Sequence, residues 1–309
     1  MIAYIKDQNI QYTTSMLRTI SQLTPVVAPF QIWLKHQSVC SSYSVVGCYS
    51  SSYNDLSCII THRLKYCVFY LYKVTRREFQ QSKIARDHLH RMGTHIVVGG
   101  VISPVHDAYA KKELASATHR CAMLRLALQN NDWIRLSTWE IKQNGWSRTR
   151  ITLQYHQNLL NSMVFDSNNI KHNIPIEDLE WIPENIKNSS DRTPIQIKLL
   201  CGADLLESFG IYDLWMDEDI DAIVGEHGLV VITREGSNPN KFIYDSDILS
   251  KHMHNIHIVT EWIPNEVSSS KIRRALKRGE SVRYLLQDAV IDYVYKQGIY
   301  DAKTTASTM

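Results

Sequence analysis

The amino-acid sequence predicts an α/β fold with a doubly wound, mainly parallel sheet. From residue 84 onward, short apolar runs rich in β-branched residues alternate with segments of helical spacing. The runs at 94–103, 197–201, 229–233 and 256–260 have the length and composition of buried strands. Because strands that alternate with helices form βαβ units, we expect the strands to run parallel with helices on both faces.

The helical segments are recognised by the spacing of their apolar residues. In the segment 119–130, for example, Cys121 and Leu124 fall on one face. Gly279 and Gly298 each follow a helical run and are typical of carboxyl-terminal caps. We predict helices at 84–92, 119–130, 145–163, 268–279 and 281–298.

The remaining segments complete the predicted domain organisation. The run at 133–140 alternates between apolar and polar residues, which indicates a further strand. The polar stretch 166–194 predicts an exposed insertion or linker. We therefore expect one domain over 84–300, followed by a tail at 301–309.

Composition excludes several classes of protein. The 309 residues are 44% hydrophobic and 21% charged, which is typical of globular domains. No apolar run approaches the ~20 residues that cross a bilayer, and no signal peptide is recognisable. The net charge of +3 is too small to argue for nucleic acid. We expect a protein of the cytoplasm or nucleus that is not secreted and has neither a membrane nor a nucleic-acid partner.

Residues 1–83 differ in composition from the rest of the chain. They carry nine Lys and Arg against three Asp and Glu, whereas the remainder carries 25 against 28. They also hold four of the six cysteines, separated by seven, nine and eight residues, which is not the spacing of a metal site. We expect unpaired thiols, no bound metal and an atypical, poorly ordered amino-terminal segment.

The first candidate site follows the strand at 94–103. Asp107, Tyr109, Lys111 and Lys112 lie close together there, so the lysines are able to hold phosphate beside an aromatic ring. A solvated loop with surface lysines is the alternative, because lysine is mostly exposed in folded proteins.

The second candidate site is the turn after the strand at 197–201. Gly202 allows a nucleotide to approach the backbone, and the Asp204 carboxylate is able to accept hydrogen bonds from ribose. Asp204 fits equally well as the N-cap of the following helix, and the sequence leaves both interpretations open.

The third candidate site is the entry to the helix at 268–279. Ser268 and Ser270 stand at its start, where free amides face an anion, and Lys271 and Arg273 supply positive charge. Although a basic run is also typical of nucleic-acid binding, apolar residues interleave the charges at helical spacing. That spacing favours an amphipathic helix with a phosphate at its start.

Three tryptophans lie near these sites, and several common motifs are missing. Trp146, Trp215 and Trp262 are each expected in the core, although an indole is also a platform for a base or nicotinamide ring. The sequence contains no Walker A pattern and no G-x-G-x-x-G, so a phosphate would have to be bound by another motif.

Four stretches together closely resemble eukaryotic nicotinamide mononucleotide adenylyltransferase, and the insect members most of all. They are GGVISPVHDAYAKKELASATHR, IKLLCGADLLESFGIYDLW, GLVVITREGSNPNKFIYDSDIL and IPNEVSSSKIRRALKRGESVRYL. The resemblance covers about 84–300 and implies a Rossmann-like sheet of the nucleotidyltransferase type. It also implies transfer of AMP from Mg²⁺-ATP to nicotinamide or nicotinate mononucleotide in NAD biosynthesis. We further expect a homo-oligomer.

The resemblance implies two sets of site residues. On the ATP side they are Lys112, Gly202, Asp204, Ser270, Lys271, Ile272 and Arg273. On the mononucleotide or dinucleotide side they are Tyr109, Ala110, Lys111, Trp146, Thr149, Leu214, Trp215, Glu261 and Asn265.

The sequence departs from the family upstream of Ile84. The family begins with a strand and a G-x-F-x-P-x-T-x-x-H loop whose histidine contacts the ATP phosphates, and no such loop occurs here. Thr61 and His62 are adjacent rather than spaced, and 68–73 is the candidate for the first strand. The stretch 74–83 is too short for the loop and the first helical turns. We predict a severe loss of turnover, since losing one such donor costs ~10²–10³ in rate. The alternative is a non-catalytic, nucleotide-binding or chaperone-like member of the family.

Overall fold

The computed structural model describes most of the chain from residue 65 to residue 302. The described residues are 44–47, 60–63, 65–71, 76–109, 111, 113–165, 174–187, 192–233, 238–263 and 265–302. The strands are β1 Ser44–Gly47, β2 Ile60–Arg63, β3 Lys65–Leu71, β4 His95–Ile102, β5 Ile134–Leu136, β6 Ile195–Gly202, β7 Leu229–Thr233 and β8 Ile256–Thr260. No helix in these ranges is both long enough and apolar enough to cross a bilayer.

Six strands form one parallel sheet in the order β5-β4-β3-β6-β7-β8, which confirms the predicted fold class. β1 and β2 form a separate antiparallel pair. The four predicted strands are present within two residues of their expected bounds. The run at 133–140 is correct as a strand only for Ile134–Leu136, because the chain then turns into a 3₁₀ helix at Glu140–Lys142.

The helices lie between the strands in the expected alternation. They are α1 Arg76–Met92, α2 Ala117–Leu128, α3 Thr149–Phe165, α4 Ile176–Leu179, α5 Glu184–Lys187, α6 Ala203–Ser208, α7 Asp217–Ala222, α8 Pro239–Asp245, α9 Asp247–Lys251, α10 Ser269–Lys277 and α11 Asp288–Lys296. The helix predicted at 281–298 begins only at Asp288. Tyr284 adopts a φ of +68°, a left-handed conformation that cannot continue an α-helix. Gly279 and Gly298 are left-handed carboxyl-terminal caps, as predicted.

The centre of the sheet comes from the compositionally different amino-terminal segment. β3 pairs in parallel with β4 on one side and β6 on the other, and Cys67, Val68 and Tyr70 are fully buried. α1 begins at Arg76, so the predicted boundary near residue 83 falls inside this helix. The structure places residues 65–71 and 76–83 within the parallel fold. Cys67 is unpaired, as expected, and Cys40, Cys48 and Cys58 lie outside the described residues.

The segment that we expected to be an exposed insertion is anchored in its middle. Trp181 is fully buried, and Ile182 is 1% exposed. A Cβ atom on Gly99 of β4 would lie 2.5 Å from Cγ of Pro183, so the segment packs directly against the sheet. Its apolar side chains therefore fill the core, which the polar composition of 166–194 conceals.

Apolar clusters cover both faces of the sheet, and a third cluster holds the carboxyl-terminal helices. Alternate residues of β3 point to opposite faces, with Val68 in one cluster and Cys67 in the other. The third cluster joins α10 to α11 through buried residues that include Ile272, Leu276 and Val290. Burying each such side chain contributes roughly 1.5–3 kcal/mol, which fixes α10 against the domain.

Candidate active site

The parallel sheet brings the three predicted site segments to one edge. The segments follow β4, β6 and β8, and the carboxyl ends of parallel strands share an edge. Lys111 is exposed beyond β4, whereas Ala110 and Lys112 lie outside the described residues. The three candidate segments that the sequence singled out therefore share one edge of the fold.

The helix α10 begins as the sequence predicts. Ser268 is its N-cap, and the Ser268 hydroxyl accepts a hydrogen bond from the Lys271 amide at 3.2 Å. Ile272 is buried, while Ser270 and Lys271 are exposed on the opposite side. Lys271 Nζ contacts Glu266 Oε2 at 2.9 Å. The amphipathic helix is confirmed, and its first turn presents amides, a hydroxyl and a cation.

Among the described residues of the site, Arg273 is the most enclosed cation. Its side chain is 12% exposed, and its guanidinium lies 6.0 Å from the centre of the Tyr300 ring. Arg273 Nη2 donates to Ser270 Oγ at 3.1 Å. Glu113 Oε2 is 3.8 Å from Arg273 Nε, and Glu113 Oε1 accepts from Lys277 Nζ at 2.7 Å. Sequence reasoning missed Glu113, because nothing near it in the chain indicates a partner on α10.

The turn between β6 and α6 contains no intervening residue. Gly202 ends the strand and is itself the N-cap, while Asp204 is the second residue of the helix and is exposed. The N-cap interpretation of Asp204 is therefore wrong. A Cβ atom at position 202 would lie 2.5 Å from Asp204 Oδ1. The absence of a side chain at Gly202 therefore leaves room for the Asp204 carboxylate beside the turn.

Two half-exposed aromatic rings face each other beyond β4. The centres of the Tyr109 and Trp146 rings are 6.1 Å apart with a tilt of 32°, and the two residues are 49% and 50% exposed. Thr149, the first residue of α3, follows Trp146 closely in the chain. The expectation that Trp146 lies in the core is wrong. The pair offers a surface on which a planar ring can stack.

The other two tryptophans divide between core and surface. Trp215 is half-buried; its Nε1 donates to Ser208 Oγ at 3.1 Å, and its ring meets Phe209 edge-on at 5.0 Å. The neighbouring Leu214 is 56% exposed. Trp262 is 85% exposed, so its predicted place in the core is also wrong.

Two glutamines of α1 hold the predicted residues after β8. Gln81 Nε2 donates to Glu261 Oε2 at 3.0 Å, and Asn265 Nδ2 donates to Gln80 Oε1 at 3.2 Å. Gln81 is buried, although it belongs to the segment that lies outside the resemblance. The sequence carries no local signal for these contacts, because their partners lie at the other end of the chain.

A buried carboxyl group lies beneath the same edge. Glu140 is 2% exposed, and its Oε2 accepts from Ser103 Oγ at 3.0 Å and from the Tyr70 hydroxyl at 3.3 Å. Burial raises the pKa of Glu140 to about 7. Nearby, His156 is fully buried with its Nε2 at 2.8 Å from Ser137 Oγ, and burial lowers its pKa to about 4. The ends of three strands are thus joined by polar side chains that the sequence did not single out.

Thr61 and His62 do not form a loop of the kind that carries a phosphate-binding histidine. Both lie in β2, where Thr61 pairs with Val46 and His62 pairs with Val45 of β1. Between β3 and α1 the chain has only residues 72–75, which include neither glycine nor histidine.

A family profile and several known proteins match this chain. A profile of the cytidylyltransferase-like family matches residues 82–275. The nicotinamide-nucleotide adenylyltransferase of Drosophila melanogaster is 52% identical over 231 residues, covering 74% of this chain and 59% of that protein. Two bovine nicotinamide/nicotinic acid mononucleotide adenylyltransferases match as well. Adenylyltransferase 1 is 43% identical, and the match covers 75% of this chain and 86% of that protein. Adenylyltransferase 2 is 33% identical, and the match covers 74% of this chain and 92% of that protein.

Proposed function

This chain belongs to the nicotinamide/nicotinic acid mononucleotide adenylyltransferase family, and we propose that it makes NAD or its acid analogue from ATP and the corresponding mononucleotide. In this reaction a phosphate oxygen of the mononucleotide bonds to the α-phosphorus of ATP as the bond to the bridging oxygen breaks, and pyrophosphate leaves. The observation that carries the proposal is the capped start of α10, with Lys271 and Arg273, at the carboxyl edge of the sheet.

On the ATP side, the proposed contacts are electrostatic. The first-turn amides of α10 together with Ser270 and Lys271 are suited to the phosphates, since a helix amino terminus favours an anion. Arg273 adds a cation whose enclosure strengthens its interaction with charge. Gly202 and Asp204 are proposed to meet the nucleotide sugar. Lys112 and Ile272 complete the proposed set.

On the mononucleotide side, the open ring pair supports the proposal. Tyr109 and Trp146 leave faces exposed on which a nicotinamide ring can stack. Glu261 and Asn265 are held in place by hydrogen bonds from and to α1, so their polar atoms are pre-positioned. Ala110, Lys111, Thr149, Leu214 and Trp215 are the remaining proposed contacts.

We propose that Mg²⁺ enters together with ATP. Among the described residues no group of three or more His, Cys, Asp or Glu side chains is arranged to hold a metal ion. We propose that the ion is bound mainly by phosphates and water, which is how Mg²⁺ commonly binds beside a triphosphate. When bound, Mg²⁺ neutralises phosphate charge, whereas the protein's own residues orient the two substrates.

The test is dinucleotide formation by the purified chain with ATP, Mg²⁺ and either mononucleotide. We expect slow product formation, ~10²–10³ below an ordinary turnover of about 1–10 s⁻¹, because the sequence lacks the family's first phosphate loop. Ordinary turnover would show that other residues replace the loop. Nucleotide binding by a folded chain without any product would contradict the proposed activity.

The homo-oligomeric state and the cytoplasmic or nuclear location expected from the sequence remain predictions. Light scattering of the purified chain would test the first, since a single mass equal to one chain would contradict it. Imaging of the tagged chain in cells would test the second, since a location in another compartment would contradict it.

A further inference from the structure

A carboxylate connects the loop after β4 to the helix of the proposed phosphate site. Glu113 Oε1 accepts a hydrogen bond from Lys277 Nζ at 2.7 Å, and Glu113 Oε2 lies 3.8 Å from Arg273 Nε. Both cations belong to α10. A negative charge therefore stands beside Arg273, which is proposed to receive the phosphates of ATP.

The backbone of Glu113 is held in an unfavourable conformation at this point. Its φ is +64°, in the left-handed region that favours glycine. The surrounding structure maintains the side chain next to α10 despite this strain. Such strain often accompanies a functional constraint, and here it coincides with a contact between two parts of the candidate site.

Glu113 does not fully satisfy Arg273. A distance of 3.8 Å is too long for a hydrogen bond, and within the described part of the chain Arg273 Nε is buried without a hydrogen-bond partner. The Glu113 carboxylate is also shared between Arg273 and Lys277. A ligand whose oxygen atoms carry more negative charge would bind the Arg273 guanidinium more strongly than Glu113 does.

We propose that Glu113 is an internal counter-ion of α10 that competes with the triphosphate of ATP for Arg273. This inference rests on the proposed function, because it requires ATP phosphates at the start of α10. Glu113 acts through Arg273 and is therefore a positioning residue. Its charge lowers the affinity for a nucleotide in proportion to the nucleotide's own negative charge.

The test uses Glu113→Gln, which removes the charge and keeps the length of the side chain. We expect ATP to bind about fivefold more tightly, since a partly exposed charge of this kind is worth up to about 1 kcal/mol. The gain should be smaller for ADP and smallest for AMP, and it should fade in 1 M salt. Calorimetric titration of the whole chain with each nucleotide measures all of these effects.

Two further variants separate charge from structure. Glu113→Gly also removes the charge and relieves the left-handed backbone, so it should show the same gain for ATP with an undiminished melting temperature. Glu184→Gln removes another exposed glutamate, one that pairs with Lys187 at 2.7 Å outside the candidate site. That variant should bind all three nucleotides as the parent does.

The outcomes distinguish this inference from the proposed function. Equal affinity of the parent and Glu113→Gln for ATP would overturn the inference and leave the proposed function intact. If Glu113→Gln bound ATP, ADP and AMP more weakly by the same factor, the inference would also be overturned, because such a loss would indicate a purely structural role. Absence of ATP binding to either protein would overturn the proposed function together with the inference.

Discussion

The two connections that leave the neighbouring central strands are built in opposite ways. β6 passes directly into α6 through Gly202, and Asp204 folds over the turn. β3 reaches α1 through residues 72–75, which contain no glycine. Both strands are buried and pair with each other in parallel. A central strand needs only a suitable pattern of buried residues, whereas a connection that contacts a nucleotide needs particular residue types. A strand can therefore occupy the centre of the sheet without a nucleotide-binding connection after it.

The largest expected effect comes from giving the connection after β3 the phosphate-binding loop of the family. Replacing residues 72–75 with a ten-residue G-x-F-x-P-x-T-x-x-H loop should raise turnover ~10²–10³-fold, because it restores a donor to the ATP phosphates. Pyrophosphate release measures the rate. The same insertion with alanine in place of its histidine is the control. An unchanged rate in a folded variant would show that the loop is not what limits this chain.

Glu140, which contacts Tyr70 at the end of β3, should make stability depend on pH. Its folded-state pKa of about 7 lies above the ordinary 4.5, so the folded chain binds more protons between these values. The free energy of unfolding contributed by Glu140 therefore falls as pH rises from 4.5 to 7. Between pH 4.5 and pH 7, the free energy of unfolding of Glu140→Gln should rise by roughly 3 kcal/mol relative to that of the parent. Urea unfolding of both proteins at several pH values measures the difference. If the free energy of unfolding changed with pH in the same way in both proteins, the prediction would be contradicted.

Removing the enclosed cation of α10 should also weaken ATP binding. Arg273→Ala is expected to lower the affinity about 10- to 100-fold, since hydrogen bonds to charged groups are worth ~1.5–3 kcal/mol. Arg274→Ala is the matched control, because Arg274 is exposed on the same helix. Calorimetric titration with ATP measures both. Similar losses in the two variants would mean that net charge, not the position of Arg273, governs binding.

The smallest expected effect is at the β6 turn itself. Gly202→Ala places a Cβ 2.5 Å from Asp204 Oδ1, so the carboxylate must move and ATP binding should weaken by roughly tenfold. Gly145→Ala is the control, since a Cβ there meets nothing within 4 Å. Titration with ATP again reports the change. Unaltered binding by Gly202→Ala would contradict the assigned role of this turn.

The sequence predicted the features that depend on neighbours in the chain. Apolar runs located the strands, including the one at the centre, and the serines before Lys271 located the start of α10. It did not predict Glu113, Gln81 or Glu140, whose partners lie 164, 180 and 70 residues away. Such contacts depend on how the sheet brings distant segments together, and no local pattern encodes them. The exposed positions of Trp146 and Trp262 were missed for the same reason.

The position of β3 also has a consequence for how the chain acquires its fold. This strand is synthesised well before β6, with which one of its two edges pairs in the folded sheet. Until then β3 can pair only with β4, and its other edge presents unpaired amide and carbonyl groups. Closing the middle of the sheet brings together segments far apart in sequence, which is a slow kind of step. During that interval a ribosome-bound chain exposes an unpaired strand edge that a chaperone can recognise.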